Sequence, residues 1–205
     1  MTITWLGHSC MKISENGYAV VCDPYSPAPP VGFGTICESA DMVICSHEHD
    51  DHNYRNGVKL VASGAQPFEI SFVDTFHDDK NGTLRGMNKV CVIKTPSGKT
   101  AVHLGDLGHI PSKAQLDAIG KPDVLMIPVG GFFTIDAKTA KKVCEMISPR
   151  VIIPMHYRGE GFGFDVLGTV EEFTKLFDKG AVTYYDSSIL EINDKTPSGV
   201  AILKY

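Results

Sequence analysis

Seven consecutive residues, Ser46, His47, Glu48, His49, Asp50, Asp51 and His52, place three imidazoles and three carboxylates directly after an apolar run over residues 42–45. Titratable groups crowded this tightly suggest a cation among them. The spacing H-x-H-x-D-H is filled by His47, His49, Asp51 and His52. A strand ending at Ser46 releases the chain into a tight loop, where alternate residues no longer face opposite sides. His47 and His49 can then close on one ion while Asp51 and His52 point towards a neighbouring one. Neutral imidazole and carboxylate suit zinc, iron and, with more oxygen ligands, manganese. A merely solvated acidic loop has no use for histidine at this spacing.

Further ligands arrive singly. His77 follows an extended run over residues 68–76, Asp106 follows a hairpin of residues 89–94 and 100–104, and His156 follows a short strand over residues 151–154. Like His47, each stands just past the C-terminal end of an expected strand, so all four converge on one edge of a sheet core, where rigid elements support a site. A first ion takes His47, His49 and His77. A second takes Asp51, His52 and His156, and Asp106 bridges the pair. Each ion keeps a position for solvent, as a catalytic site needs. A hydroxide shared between two divalent ions is available near neutral pH as a nucleophile. Zinc is the expected metal, with manganese or iron as alternatives, because no thiolate selects zinc. Asp51, Asp106 and His109, three residues beyond the bridge, are the candidate catalytic groups.

The elements that must position these groups are readable from pattern. Residues 2–6 form a strand, and residues 11–15 pair with 18–22 across Asn16-Gly17, a turn that wants positive φ. Asp23-Pro24 ends that strand, and a Pro- and Gly-rich loop covers residues 25–34. Residues 60–62 read as extended. Ser112 with Gln115 makes a capping box for a helix that stops at Gly120, and residues 124–128 are a buried strand. Asp136 caps a helix whose apolar stripe is Ala137, Ala140, Val143, Cys144 and Ile147. A second helix opens at Thr169 and closes at Gly180. Strands over residues 182–185, 189–192 and 200–203 finish the chain.

Length and composition fit one domain over residues 1–205 with a real core. A hydrophobic content of 43% against 21% charged residues reads as soluble and globular. A net charge of -5 argues against a nucleic-acid surface, which needs clustered Lys and Arg. The N-terminus shows no basic leader before an apolar segment, and no apolar run approaches the ~18 residues of a membrane span. Six cysteines without C-x-x-C spacing read as reduced core residues of a cytoplasmic protein. The expected partner is a small-molecule substrate, an anionic one being among the expectations. Tyr25, Phe33, Phe132, Phe133 and residues 157–164 provide the pocket walls, with Arg158 as the candidate anchor for a phosphate or carboxylate.

Taken together, Trp5-Leu6-Gly7-His8-Ser9, Asp23-Pro24, the run from His47 to His52, His77, Gly105-Asp106 and Ile153-Pro154-Met155-His156-Tyr157 resemble the metallo-β-lactamase superfamily. Their order and spacing are most similar to its small metal-dependent hydrolases, which include ascorbate-6-phosphate lactonase-like proteins. The resemblance implies a four-layer α/β/β/α sandwich with a dinuclear site at one edge of its two sheets, and hydrolysis of an ester, lactone, amide or phosphoester. It also implies His47, His49, Asp51, His52, His77, Asp106 and His156 as ligands, with Asp23 orienting a ligand histidine. Asp23 read alone is equally a turn residue before proline. His8 either reaches the site or is a core histidine, and His103 reads as structural. Two other readings of the same ligands are a di-iron redox or oxygen-chemistry protein and a metal-binding domain without turnover.

Overall fold

The computed structural model describes residues 1–27, 32–61, 64 and 66–205. In chain order its strands are β1 (Thr2–Gly7), β2 (Cys10–Glu15), β3 (Tyr18–Cys22), β4 (Glu38–Ala40), β5 (Met42–Ile44), β6 (Val58–Leu60), β7 (Glu69–Phe76), β8 (Met87–Lys94), β9 (Thr100–His103), β10 (Val124–Pro128), β11 (Val151–Met155), β12 (Val182–Tyr184), β13 (Ile189–Glu191) and β14 (Gly199–Ile202). The helices are α1 (Lys113–Ile119), α2 (Ala137–Ile147) and α3 (Val170–Thr174).

Alternation along the first strands divides the small sheet into two faces. Tyr18, Val20 and Cys22 of β3 enter the main core, whereas Ala19 and Val21 join a second cluster with Cys10, Tyr25, Ile36, Ala40 and Val58. The β2–β3 hairpin turns at Asn16 and Gly17, with φ of 52° and 85°, as a two-residue hairpin turn of the favoured hand requires. This sheet has five strands in the order β13-β1-β2-β3-β5. The second has seven, in the order β12-β14-β11-β10-β9-β8-β7. Every residue of β10 and β11 is buried, as parallel strands covered on both faces must be. Residues of both sheets, Met11 and Ile13 with Val90 and Met126 among them, share one continuous apolar cluster.

The helices lie against the large sheet: α1 packs on β7, and α2 on β10 and α3. This is the expected α/β sandwich. Over the small sheet the outer apolar cluster is closed by a parallel pair, β4 with β6. Ser112 and Gln115 cap α1 reciprocally, at 2.8 and 3.3 Å, and Asp136 caps α2 through the Thr139 amide at 2.8 Å.

Three expectations on elements need correction. The helix read from Thr169 to Gly180 is regular only over Val170–Thr174, and Thr169 makes no side-chain cap. Beyond it the amides of Leu176 and Phe177 bond three residues back, to Phe173 and Thr174, and Gly180 sits in a separate 3-10 turn, Lys179–Ala181. Of the extended run expected over residues 60–62, Leu60 ends β6, Val61 is outside any strand and Ala62 lies outside the described residues, as do residues 28–31 of the Pro-rich loop. Cys10, Cys22, Cys91 and Cys144 are buried thiols, but Cys37 is exposed and Cys45 only half-buried. Among the described residues, no helix is long and apolar enough to cross a membrane.

Candidate metal centre

Strand direction brings the candidate residues together. Within the small sheet β1, β3 and β5 run parallel to one another, and within the large sheet β7, β9 and β11 do. His8, Asp23, His47, His77, Asp106 and His156 follow the C-terminal ends of these six strands within three residues. His8, Asp23 and His156 take left-handed backbone, with φ of 49°, 50° and 53°. That conformation costs an L-residue about 1 kcal/mol or more; histidine and aspartate tolerate it better than most, and such strain clusters at functional sites. Gly105, at φ 55°, turns the chain before Asp106 where a Cβ would lie 2.3 Å from Asn88 Oδ1 and 2.5 Å from Ser46 Cβ. Only glycine fits there.

All seven expected ligands meet. The rings of His47, His49 and His77 converge with centroid separations of 4.6, 4.7 and 5.1 Å. Asp51, His52 and His156 form a second group, joined by His8, with one donor atom from each within 4.8 Å of the others. Between the groups lies Asp106, whose Oδ2 is 3.2 Å from His52 Nε2, 3.3 Å from His77 Nε2 and 3.1 Å from His156 Nε2. Yet the Nε2 atoms of His47, His52 and His156 and the Oδ1 of Asp106 are buried without an aligned hydrogen-bond partner. Each such orphan costs about 1–3 kcal/mol. Imidazole and carboxylate donors facing one another in this way fit divalent cations.

The tautomers are assigned by the network behind the donors. Asp23 Oδ1 accepts the Ser46 amide at 2.6 Å, while its Oδ2 accepts the Ser46 hydroxyl at 2.6 Å and His52 Nδ1–H at 2.8 Å. With its hydrogen given to Asp23, Ser46 Oγ accepts His47 Nδ1–H at 2.8 Å. Both imidazoles therefore turn Nε2 towards the site, free in His47 and, in His52, open to a metal that displaces its proton. Asp23 is thus more than a turn residue. Asn88, which sequence reasoning missed, accepts the Asp106 amide at 2.9 Å and donates to Thr75 Oγ1 and the Leu104 carbonyl. His103 donates to the Ser9 carbonyl at 2.8 Å and accepts the Gly105 amide at 3.1 Å, a structural brace for the turn before Asp106.

Other placements depart from the sequence reading. His8 does reach the site: it is fully buried, its Nε2 donates to Asp51 Oδ2 at 3.2 Å, and its ring lies 4.3 Å from that of His156. His109 does not. Its Nε2 accepts the Phe76 amide at 3.1 Å and its Nδ1 donates to the Ile110 carbonyl at 2.9 Å, so both ring nitrogens are committed to backbone and none is left to donate to a substrate. The site opens into a cavity of about 320 Å³ lined by His49, Asp50, Asp51, His77, Asp106, Phe133, Phe164 and Arg85. Arg158 lines a different cavity and is bonded to the Leu167 carbonyl at 2.6 Å. Tyr25 and Phe33 pack on each other, with Phe33 against Trp5 and Tyr205, and Phe132 is 64% exposed.

Burial dominates the titration of the metal-free site. It pushes His47, with help from neighbouring His52, down to about 3, and His8, beside His156, down to about 4; His77 is lowered for the same reason. His52 goes the other way: burial opposes its charge, but Asp106 and Asp23 outweigh burial and hold it protonated well above the ordinary histidine range. The His47 and His8 contributions to stability are present above the unfolded value of about 6.5 and are lost as pH falls towards their folded values. The His52 contribution is complete below about 6.5 and is lost as pH rises through its raised folded value. Chelated protein should therefore be most stable near pH ~6.5 in urea titrations, weakening on both sides. Stability rising steadily from pH 5 to 9 would contradict these assignments.

Comparison with known proteins follows the same lines. The profile of the β-lactamase superfamily domain matches residues 2–156. A crystal structure from Thermotoga maritima, described as a candidate Zn-dependent hydrolase of the metallo-β-lactamase superfamily, is 36% identical, covers 98% of this chain and 97% of its own, and superposes with a TM-score of 0.77. A protein of Hyperthermus butylicus named metal-dependent hydrolase is 28% identical over 194 residues, covering 76% of this chain and 82% of the relative. One of Carboxydothermus hydrogenoformans with the same name is 28% identical over 191 residues, covering 77% and 84%. The chain belongs to the metallo-β-lactamase superfamily, among its small metal-dependent hydrolases.

Proposed function

We propose that the protein hydrolyses a small ester, lactone or phosphoester at a pair of divalent ions, most readily zinc, held by His47, His49 and His77 on one side and Asp51, His52 and His156 on the other, with Asp106 shared. The observation that carries this reading is Asp106, whose carboxylate stands within 3.3 Å of imidazoles belonging to both groups while its second oxygen is unpartnered. Divalent ions so held supply Lewis acidity and make a water acidic enough to act as a nucleophile at neutral pH. Asp51 lines the cavity and can take a proton there, with His8 fixing its carboxylate from behind. Phe133 and Phe164 exclude water from one side and seat an apolar part of the substrate.

Metal removal tests the reading. Chelated protein should lose hydrolysis of chromogenic esters, lactones and phosphodiesters, and two equivalents of zinc or manganese per chain should restore it. Rates indifferent to chelation would show a domain without metal-dependent turnover.

A further inference from the structure

Four arginines occur in the chain. Arg55 and Arg150 are paired with Glu48 and Asp123, and Arg158 is bonded to the Leu167 carbonyl outside the site cavity. Arg85 differs. Among the described residues it is in no ion pair, and it is the one permanent cation lining the cavity that holds Asp51, His77 and Asp106. Its Nη2 donates to the Phe132 carbonyl at 3.2 Å and its guanidinium lies 5.7 Å from the centre of the Phe133 ring. These contacts fix the plane of the fork and use one of its five N–H donors.

The loop that presents Arg85 is held by one side chain. Asp78, next to His77 and only 3% exposed, accepts four backbone amides: Lys80 and Gly82 at Oδ1, both at 2.8 Å, and Leu84 and Arg85 at Oδ2, at 3.0 and 2.8 Å. One buried carboxylate thus anchors residues 80–85, including the amide of Arg85 itself. Charge points the same way. Two divalent cations would be offset only in part by the three carboxylates of the cavity, Asp50, Asp51 and Asp106, and Arg85 adds positive charge at the wall beside them. A cavity so charged favours an anionic ligand over a neutral one.

We infer that Arg85 anchors an oxyanion of the substrate, a carboxylate or phosphoryl group carried near the scissile bond, and that Asp78 is the positioning residue that holds Arg85 there. This rests on the hydrolase reading for its role in turnover, but anion binding is measurable without turnover.

The probes are inorganic phosphate and acetate, titrated calorimetrically into zinc-loaded wild type, Arg85→Gln, Arg85→Lys, Asp78→Asn and the double variant Arg85→Gln/Asp78→Asn, with zinc content measured on each. Phosphate or acetate affinity should fall about tenfold in Arg85→Gln, as the loss of a charged hydrogen-bonding partner predicts, and less in Arg85→Lys, with zinc content unchanged. Which anion responds tells phosphoryl from carboxylate. Asp78→Asn should weaken the same anion, and the double variant should bind no worse than Arg85→Gln alone, because Asp78 acts through Arg85. Additive losses would reduce Asp78 to a general structural role and overturn its part. Equal affinities in wild type and a zinc-loaded Arg85→Gln, or no anion binding by wild type at millimolar concentration, overturn the anchor. Arg85-dependent phosphate binding by a protein that hydrolyses nothing would instead sink the hydrolase reading and leave the anchor standing.

Discussion

Asp106→Asn should cut kcat/KM by at least about a thousandfold, on the order of 4 kcal/mol of transition-state stabilisation, and reduce the zinc retained per chain below two. The substitution keeps the side chain's shape, and the turn that carries it is held through the backbone: the Asp106 amide is bonded to Asn88 Oδ1, and Gly105 to His103. Folding should therefore survive. What changes is the shared acceptor, because an amide brings either a neutral oxygen or an N–H donor to the point where His52, His77 and His156 meet within 3.3 Å. In the native protein burial works against the Asp106 charge, but His156 and His52 more than compensate and hold the carboxyl well below its ordinary range, so it is ionised at any working pH. Steady-state kinetics with elemental analysis checks both halves. Wild-type turnover with two zinc ions retained would remove Asp106 from the account.

The second large effect is expected away from the substrate. Asp23→Ala should destabilise the protein by about 3–5 kcal/mol, the usual consequence of stripping one partner from a buried charged pair, and weaken zinc binding by roughly 10–100-fold. Asp23 is 1% exposed and accepts three hydrogen bonds, so its removal leaves the Ser46 amide, the Ser46 hydroxyl and His52 Nδ1–H without their acceptor. Its effect then passes through Ser46 to the tautomer of His47. Both donor groups lose a fixed lone pair. Asp23→Asn, which keeps one acceptor oxygen, should fall between the two. Chemical denaturation and competitive zinc titration measure these effects, and an Asp23→Ala protein with native stability and affinity would show that the imidazoles need no such orientation.

The site was legible in sequence wherever chemistry and strand ends coincided. H-x-H-x-D-H declares its ligands by residue type, and His77, Asp106 and His156 each follow runs that read as extended. Placements that depend on loop geometry were not legible. His8 reaches Asp51 only because Gly7 and His8 both take positive φ, and no pattern in Gly-His-Ser announces that. His109 is three residues from Asp106, yet Gly108 packs where a Cβ would meet the Asp78 amide at 2.2 Å, and the chain leaves the site there. Arg158 and Arg85 both sit beside glycines. Their places in the fold distinguish them: Arg85 is tied through its amide to Asp78 on the wall of the site cavity, whereas Arg158 is bonded to the Leu167 carbonyl beside another cavity, and Asp78 ahead of Asn81-Gly82 is a turn signal that could have drawn attention to the first. β4 escaped, and β6 was read only at its last residue, because three-residue strands carry too little periodicity; α3 is short because its following residues tighten into 3-10 bonds that sequence propensity does not separate from α-helix.

The most direct test is anomalous diffraction at the zinc edge from crystals of the zinc-loaded protein. Two peaks per chain are predicted, one among His47, His49 and His77 and one among Asp51, His52 and His156, with Asp106 lying between them. Crystals grown with excess zinc that show neither peak, or zinc bound only at surface groups while these imidazoles remain free, would contradict the account.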